Sequence, residues 1–432
     1  MRLPFFYGWL IVAVAFVSMG IVVNARTAFS LLFPPILAEF GWERGVTAGA
    51  FSFGFLVSAL LSPSLGRLMD FRGPRPVLEL GVVLVSCGLV LAPFVSAPWQ
   101  LYLTLGVLVG GGSVCMGYTG QALYLTNWFV RRRGLALSIA FSGVGVGSIV
   151  LLPGLQLLIE RHGWRTACVA LGVLTLVLLA PLNLLVRGRP SDLGLEPDGD
   201  RAAAGAAGGR KSNVVDAAWV AVDWTLARAL RTTRFWWVAI GYFCGLYSWY
   251  AVQVHQTKYL VEIGFSPGMA AWALGLVSLV AIPGQIALGH LSDRIGREWV
   301  WTVGGVGFAL CYVLLLLLRD LPTPALLYLM VIAQGLLGYG LVSVVGAIPA
   351  EIFEGRHYGS IFGTLMLASI IGGATGPWLT GVIHDTTGSY TSAWWIAIAS
   401  STISVITIWL AAPRHIRAVA GKTGVSRTGV RL

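Results

Sequence analysis

Long apolar runs recur along almost the whole chain, and that recurrence constrains the fold more than any single motif. A helix needs about twenty residues to cross a hydrocarbon core about 30 Å thick. Runs of that length fall near 8–33, 46–66, 76–96, 99–126, 134–158, 164–186, 235–258, 268–290, 299–318, 324–347, 359–383 and 391–411. In hydrocarbon every backbone N–H and C=O must be bonded internally, so such runs read as helices. The expected class is an all-α membrane protein with twelve transmembrane helices. Composition excludes the alternative of a water-soluble globule: 56% of the 432 residues are hydrophobic and 11% charged, where a soluble domain carries about 25% charged residues. The first run, from near Tyr7, is long and followed by others, so it reads as a signal anchor rather than a cleaved leader.

A net charge of +11 and a pI near 9.7 invite a nucleic-acid reading. The placement of the charges argues against it. With the N-terminus in the cytoplasm, 23 Lys and Arg residues fall in internal segments, five in external ones, and Arg26 inside a span. Membrane insertion orients helices by this bias, and an even number of spans puts both termini in the cytoplasm. The expectation is an integral, multi-pass protein of a plasma or inner membrane, with the lipid bilayer as partner and no nucleic acid. Cys87, Cys115, Cys168, Cys244 and Cys311 all lie in apolar runs without metal-ligand or CxxC spacing, so they read as small hydrophobes. No His/Cys/Asp/Glu cluster supplies a metal site or nucleophile at membrane depth, so no cofactor and no enzyme is expected.

The chain repeats itself. A shift of 223 residues carries Glu39, Gly41, Gly45, Gly66, Leu68, Asp70 and Gly73 onto Glu262, Gly264, Gly268, Gly289, Leu291, Asp293 and Gly296. A shift of 225 carries Arg131, Gly134, Gly147 and Gly163 onto Arg356, Gly359, Gly372 and Gly388. Two six-helix halves in parallel repeat fit alternating access, with the ligand held between them. The expected organisation is a bundle over 1–186, a cytoplasmic linker over 187–233, a second bundle over 234–412 and a basic tail over 413–432. Within the linker, 201–212 is small and low in complexity, as flexible linkers are. Residues 223–231 read as a short amphipathic helix with Asp223 near its N-cap.

Two copies of one loop motif sit at the inner ends of the second helix of each half: GRLMDFRGPR (66–75) and GHLSDRIGRE (289–298). Gly66 and Gly289 permit close helix approach. Asp70 and Asp293 are suited to pairing with an arginine and to facing the positive end of a neighbouring helix. With Arg72, Arg75, Arg294 and Arg297, they form a candidate gate. On these motifs the chain resembles the major facilitator superfamily over about residues 5–412, which implies two six-helix bundles rocking about a central cavity. The first copy departs from the pattern, with Phe71 and Pro74 where basic residues are common. The segments FPPILAEFGWERG (33–45), NWFVRRRGLALSIAFSGVGVG (127–147), HGWR (162–165), RPSDLGLEPDGD (189–200) and HDTTGSY (384–390) are similar to the branch of monocarboxylate transporters and oxalate–formate exchangers.

An ionisable group inside a span is a functional candidate by default. Arg26 is the clear instance, because eleven largely apolar residues follow it to Leu37. Its guanidinium suits a carboxylate, held by two parallel hydrogen bonds. Snorkelling or bonding to main-chain carbonyls is the competing role. His255 is a second candidate, as a gate, a proton-sensitive group, or an interfacial histidine with satisfied hydrogen bonds. Tyr247, Trp249 and Tyr250, with Tyr118, Gln121 and Tyr124, are candidates for cavity lining, and Trp249 is the repeat mate of Arg26. Glu79 and Glu351 sit near inner span ends. The branch resemblance implies an arginine in span eight, and for oxalate a lysine in span eleven, yet 278–285 reads SLVAIPGQ and 359–383 holds neither Arg nor Lys. A single buried cation favours a small organic monoanion, with a co-transported proton possible. Efflux of amphipathic compounds and a membrane sensor are the alternatives.

Overall fold

The computed structural model describes residues 5–42, 44–199 and 214–418. Arg2, the low-complexity segment 201–212 and most of the basic tail lie outside them. The described residues are almost wholly helical. Twelve helices cross the molecule: α1 Tyr7–Phe40, α2 Arg44–Arg72, α3 Pro74–Phe94, α4 Pro98–Trp128, α5 (133–162), α6 (164–183), α7 Thr233–Glu262, α8 Pro267–Ile295, α9 Arg297–Asp320, α10 Pro324–Ile352, α11 Tyr358–Thr387 and α12 Thr391–Ala411. Ten helices are long and apolar enough to span a bilayer. One of these runs from Arg133 to Asn183 and is broken at Gly163, whose φ of +80° belongs to the left-handed region that glycine tolerates. It therefore supplies two spans. The remaining span is α7, 30 residues long but more polar, with Arg234, His255, Lys258 and Glu262.

The duplication visible in the sequence recurs in the packing. In the first half α1 crosses α5 so closely that a Cβ on Gly147 would lie 2.2 Å from the Gly20 carbonyl oxygen. Their repeat mates are Gly372 and Phe243, and there a Cβ would lie 2.1 Å from the carbonyl oxygen. Small residues at such crossings are how membrane helices approach without a hydrophobic drive. Asn24 reinforces the first crossing, donating to the Val144 carbonyl at 3.0 Å while Ser148 donates to it at 2.8 Å. Both α4 and α10 carry a π-helical stretch, Tyr102–Val109 and Ala333–Gly338. Such stretches accumulate at functional sites.

The halves meet along two further glycine crossings, α2 with α11 and α5 with α8. A Cβ on Gly66 would sit 1.9 Å from the Gly359 carbonyl oxygen, and one on Gly134 would sit 2.3 Å from that of Gly289. The linker packs against the same end. Asp198 accepts from the backbone N–H groups of Val130 and Arg131 at 3.0 and 2.9 Å. The helix expected over 223–231 is shorter, Leu226–Ala229, and its cap is Thr225 rather than Asp223. Asp223 instead offers its main-chain oxygen to Arg228. Thr225 immediately precedes the first helical residue, so its side chain is the one that reaches the free Arg228 N–H.

Because Gly66 has no room for a methyl group, Gly66→Ala should force α2 and α11 apart. Spin labels at exposed Arg67 and Arg356 should then report a longer distance distribution than in the unsubstituted background; an unchanged distribution would show that this crossing does not hold the halves together.

Candidate functional site

Beneath the glycine crossings lie two carboxylates that each cap a helix of the other half. Asp70, near the end of α2, accepts from the backbone N–H groups of Gly359 and Ser360 at 2.8 and 2.9 Å and from the Ser360 hydroxyl at 2.9 Å. Asp293, near the end of α8, accepts from the N–H groups of Gly134 and Leu135 at 2.9 and 3.0 Å. Each carboxylate thus satisfies the free N–H groups at a helix start and faces the positive end of its dipole. The two contacts are repeat mates, so they form a symmetric pair.

The charge around them is not symmetric. Arg297 is buried, donates to Asp293 and Ser292, and reaches Glu351 through Nε at 2.8 Å. The position matching Arg297 in the first half is Pro74, so Asp70 has no arginine partner among the described residues. Of the arginines expected to gate, only Arg297 enters this network; Arg72, Arg75 and Arg294 are exposed and form no ion pair among the described residues. A second bridge crosses the halves nearby: Arg133 meets Glu354 at 3.1 Å, and Arg417 meets the other oxygen of Glu354 at 2.7 Å.

Among the described residues, polar ties between the halves are confined to this end. At the opposite end the repeat mates Glu39 and Glu262 tie each half to itself. Glu39 accepts from Trp164 at 2.8 Å and pairs with Arg165. Glu262 lies 3.7 Å from Lys258 and 3.5 Å from His384. Among the described residues the halves are therefore latched by polar contacts at the motif end, with no such contact between them at the other.

Arg26 lies between these ends. Its guanidinium carbon stands 3.5 Å over the ring of Phe55 and 5.8 Å from that of Phe51. Its Nη2 is buried without a hydrogen-bond partner. The sequence alternatives, snorkelling into lipid headgroups or bonding to main-chain oxygens, do not match this placement. Phe55 meets Tyr250 of the second half edge-on at 6.3 Å, and Tyr250 lies within electrostatic reach of Arg26. Tyr118 and Tyr339 each lie within electrostatic reach of Tyr250. Tyr118 restarts α4 immediately after Gly117, whose extended backbone breaks the helix.

Other candidates lie apart from Arg26. Gln121 donates to the Met116 carbonyl at 2.9 Å and accepts from Tyr124, so its amide is spent inside α4. Tyr247 is buried against α11, where a Cβ on Gly376 would touch its carbonyl. His255 holds the Pro377 carbonyl at 2.9 Å and the Tyr390 hydroxyl at 3.3 Å. Trp249, the mate of Arg26, packs on Tyr339 at 4.1 Å and Phe308 at 5.3 Å. The site thus carries one charge on one half. Phe51, Phe55 and Tyr339 were not singled out from sequence; the spacing of four between the two phenylalanines, which puts both on one face of α2, was the available signal.

Two duplicated six-helix bundles, latched at one end and meeting around a buried cation, define a membrane transporter rather than an enzyme. The Major Facilitator Superfamily matches residues 9–266 and 238–430, and the chain belongs to that superfamily. Its relatives place it in the monocarboxylate transporter branch: it is 28% identical to monocarboxylate transporter 13 of Rattus norvegicus, over 90% of this chain and 86% of that protein. It is also 29% identical to monocarboxylate transporter 11 of Homo sapiens, over 94% and 83%. The fold is similar to that of the proton:xylose symporter XylE, with a TM-score of 0.71 at 15% identity over 94% of this chain and 95% of that one. The E. coli fucose:proton symporter FucP gives 0.69 at 16% over 94% and 98%.

The asymmetric latch yields a measurable difference. Asp293→Ala strips a partner from a buried arginine, a loss of about 3–5 kcal/mol when such pairs are broken. Asp70→Ala removes a helix cap, worth about 0.5–2 kcal/mol. Thermal unfolding in detergent should show the larger drop in Tm for Asp293→Ala, and the reverse order would contradict the charge network.

Proposed function

We propose that the chain carries a small organic monoanion by alternating access, with the carboxylate seated on Arg26. The observation that supports this reading is the buried, unpartnered Nη2 of Arg26. A guanidinium nitrogen left without an acceptor in a low-dielectric interior is costly, and a bound carboxylate supplies the missing acceptor through a charge-assisted bond. Phe55 positions the group: a cation over a ring face is stabilised by about 0.5–2 kcal/mol, which holds the guanidinium without competing for its N–H donors. Tyr118, Tyr250 and Tyr339 offer an aromatic body for the rest of the substrate. With one cation, the cluster matches a single negative charge better than two. Gln121, Tyr247 and His255 have no assigned contact with the substrate in this reading.

The latch carries the conformational half of the mechanism. Asp70 and Asp293 hold the motif end shut while substrate enters from the unlatched end. Arg26 and Phe55 belong to the first half and Tyr250 to the second, so a substrate bridging them favours closure on the far side and release of the latch. The bias of 23 internal against five external basic residues supports a cytoplasmic motif end, with both termini on that side. A co-transported proton is part of the proposal. His255 accommodates it by reversing its bond with Tyr390, because Nε2 already donates to the Pro377 carbonyl. The aromatic density around Arg26 also favours a second reading, export of amphipathic compounds.

Uptake of labelled monocarboxylates into proteoliposomes, with and without a pH gradient, tests the proposal. Arg26→Ala should abolish saturable uptake with little change in Tm. Arg26→Lys should retain part of it, since an ammonium keeps the charge but not the two-pronged grip. Phe55→Ala should raise KM by about tenfold or less, the worth of one cation–π contact. Wild-type affinity in Arg26→Ala would remove carboxylate binding from this site. Drug resistance on expression without carboxylate uptake would favour the export reading.

A further inference from the structure

Glutamines recur in the spans of the second half, and they differ in whether a ligand can touch them. Gln256, Gln285 and Gln334 are buried, and their amide nitrogens are closed to solvent with no hydrogen-bond partner. Gln253 of α7 is different. It is partly exposed, its Oε1 accepts from the Tyr339 hydroxyl of α10 at 3.4 Å, and its Nε2 donates to nothing among the described residues. An amide carries an acceptor oxygen at one end and two N–H donors at the other. Tyr339 occupies one end, and the other is left open and reachable.

The neighbours of Gln253 set where that open end lies. Tyr250, three residues earlier on the same face of α7, meets Phe55 of the first half at 6.3 Å. Trp249, four residues earlier, packs on Tyr339 at 4.1 Å, and Tyr339 lies within electrostatic reach of Tyr250. Gln253 therefore borders the space between the halves, on the side that Arg26 does not supply. Arg26 stacks on Phe55, and among the described residues no contact links it to Gln253, whose approach to the cluster runs through Tyr339. Tyr339 directly follows the π-helical stretch Ala333–Gly338, a distortion of the kind that gathers at functional sites.

We propose that Gln253 is the specificity-determining residue of the second half, donating through Nε2 to a substrate oxygen several carbons away from the carboxylate on Arg26. The inference rests on the monocarboxylate reading of Arg26 and adds the second point of attachment. It selects acids that carry a remote keto or hydroxyl oxygen over plain alkanoates, whose tails cover the amide and leave its donors unmet. A site built to bond a substrate oxygen discriminates against the analogue that lacks it for this reason. An oxygen on the carbon next to the carboxylate does not serve, because it stays beside the guanidinium. One molecule is then held by directional bonds from both halves, where the aromatic rings alone would give the second half only an apolar surface.

Isothermal titration of the purified full chain in detergent with hexanoate, 2-oxohexanoate, 4-oxohexanoate and 5-oxohexanoate tests the assignment, since these acids share charge and chain length. At least one of the two remote oxo acids should bind about three- to tenfold more tightly than hexanoate, the worth of one hydrogen bond, with 2-oxohexanoate close to hexanoate. Gln253→Met keeps the length of the side chain without its donors and should bring the remote oxo acid to the hexanoate level; a merely structural role for Gln253 would weaken all the acids alike. Should Gln253→Met fail to fold, Gln253→Asn carries the test, because drawing the amide back by one carbon should lower the same preference. Equal binding of all four acids that still depends on Arg26, or an unchanged preference in folded Gln253→Met, overturns the role of Gln253 and leaves the carboxylate reading standing. Binding of none of the acids overturns both.

Discussion

Two carboxylates placed on the helix starts of the opposite half hold this conformation together. Asp70 and Asp293 each accept from two backbone N–H groups across the bundle interface. A helix start leaves those groups without intrahelical partners, and in an apolar surround the debt is large. One short side chain thus serves both the helix it caps and the joint between the halves. The glycines beside each aspartate are part of the same device, since Gly66 and Gly289 let the backbones come close enough for the carboxylate to reach.

The duplication is strict where the helices cross and relaxed where the charges sit. Gly147 with Gly20 and Gly372 with Phe243 make nearly the same contact. Arg297 has Pro74 as its counterpart, and Arg26 has Trp249. Geometry that both halves need to pack is retained, while chemistry has drifted to one side. Arg26 stacks on Phe55 of its own half with Tyr250 of the other half in electrostatic reach, the place where the proposed ligand would bridge the two bodies. The latch shares that asymmetry, with an Arg297–Asp293–Glu351 network on one side and, on the other, the Asp70 carboxylate without an arginine partner among the described residues.

The helix count, the repeat and the motif aspartates were legible in the residues because each depends on local pattern or spacing. The interruption at Gly163 falls between two expected spans, where a glycine in a polar HGWR segment can take positive φ. The site was legible in part. Arg26 stood out because a cation within an apolar run is conspicuous; Tyr250 lies within its electrostatic reach, and Tyr118 within that of Tyr250. Gln121 reads as available until its own turn consumes its amide, and nothing in α4's pattern announces that bond. Phe55 and Tyr339 were invisible among many aromatic residues in apolar helices, most of which only pack.

Hydropathy, charge bias and the 223-residue echo determine that this chain crosses a membrane twelve times as two related bundles, since the bilayer imposes length and internal hydrogen bonding on each span independently of its neighbours. Which side chains meet is another matter. The stacking of Arg26 on Phe55, the approach of Tyr250 from the other half and the engagement of His255 by Pro377 and Tyr390 join residues distant in the chain. Helix rotation and crossing decide those meetings, and in hydrocarbon, where no apolar face is driven inward, only the fit of one helix surface against another sets that rotation.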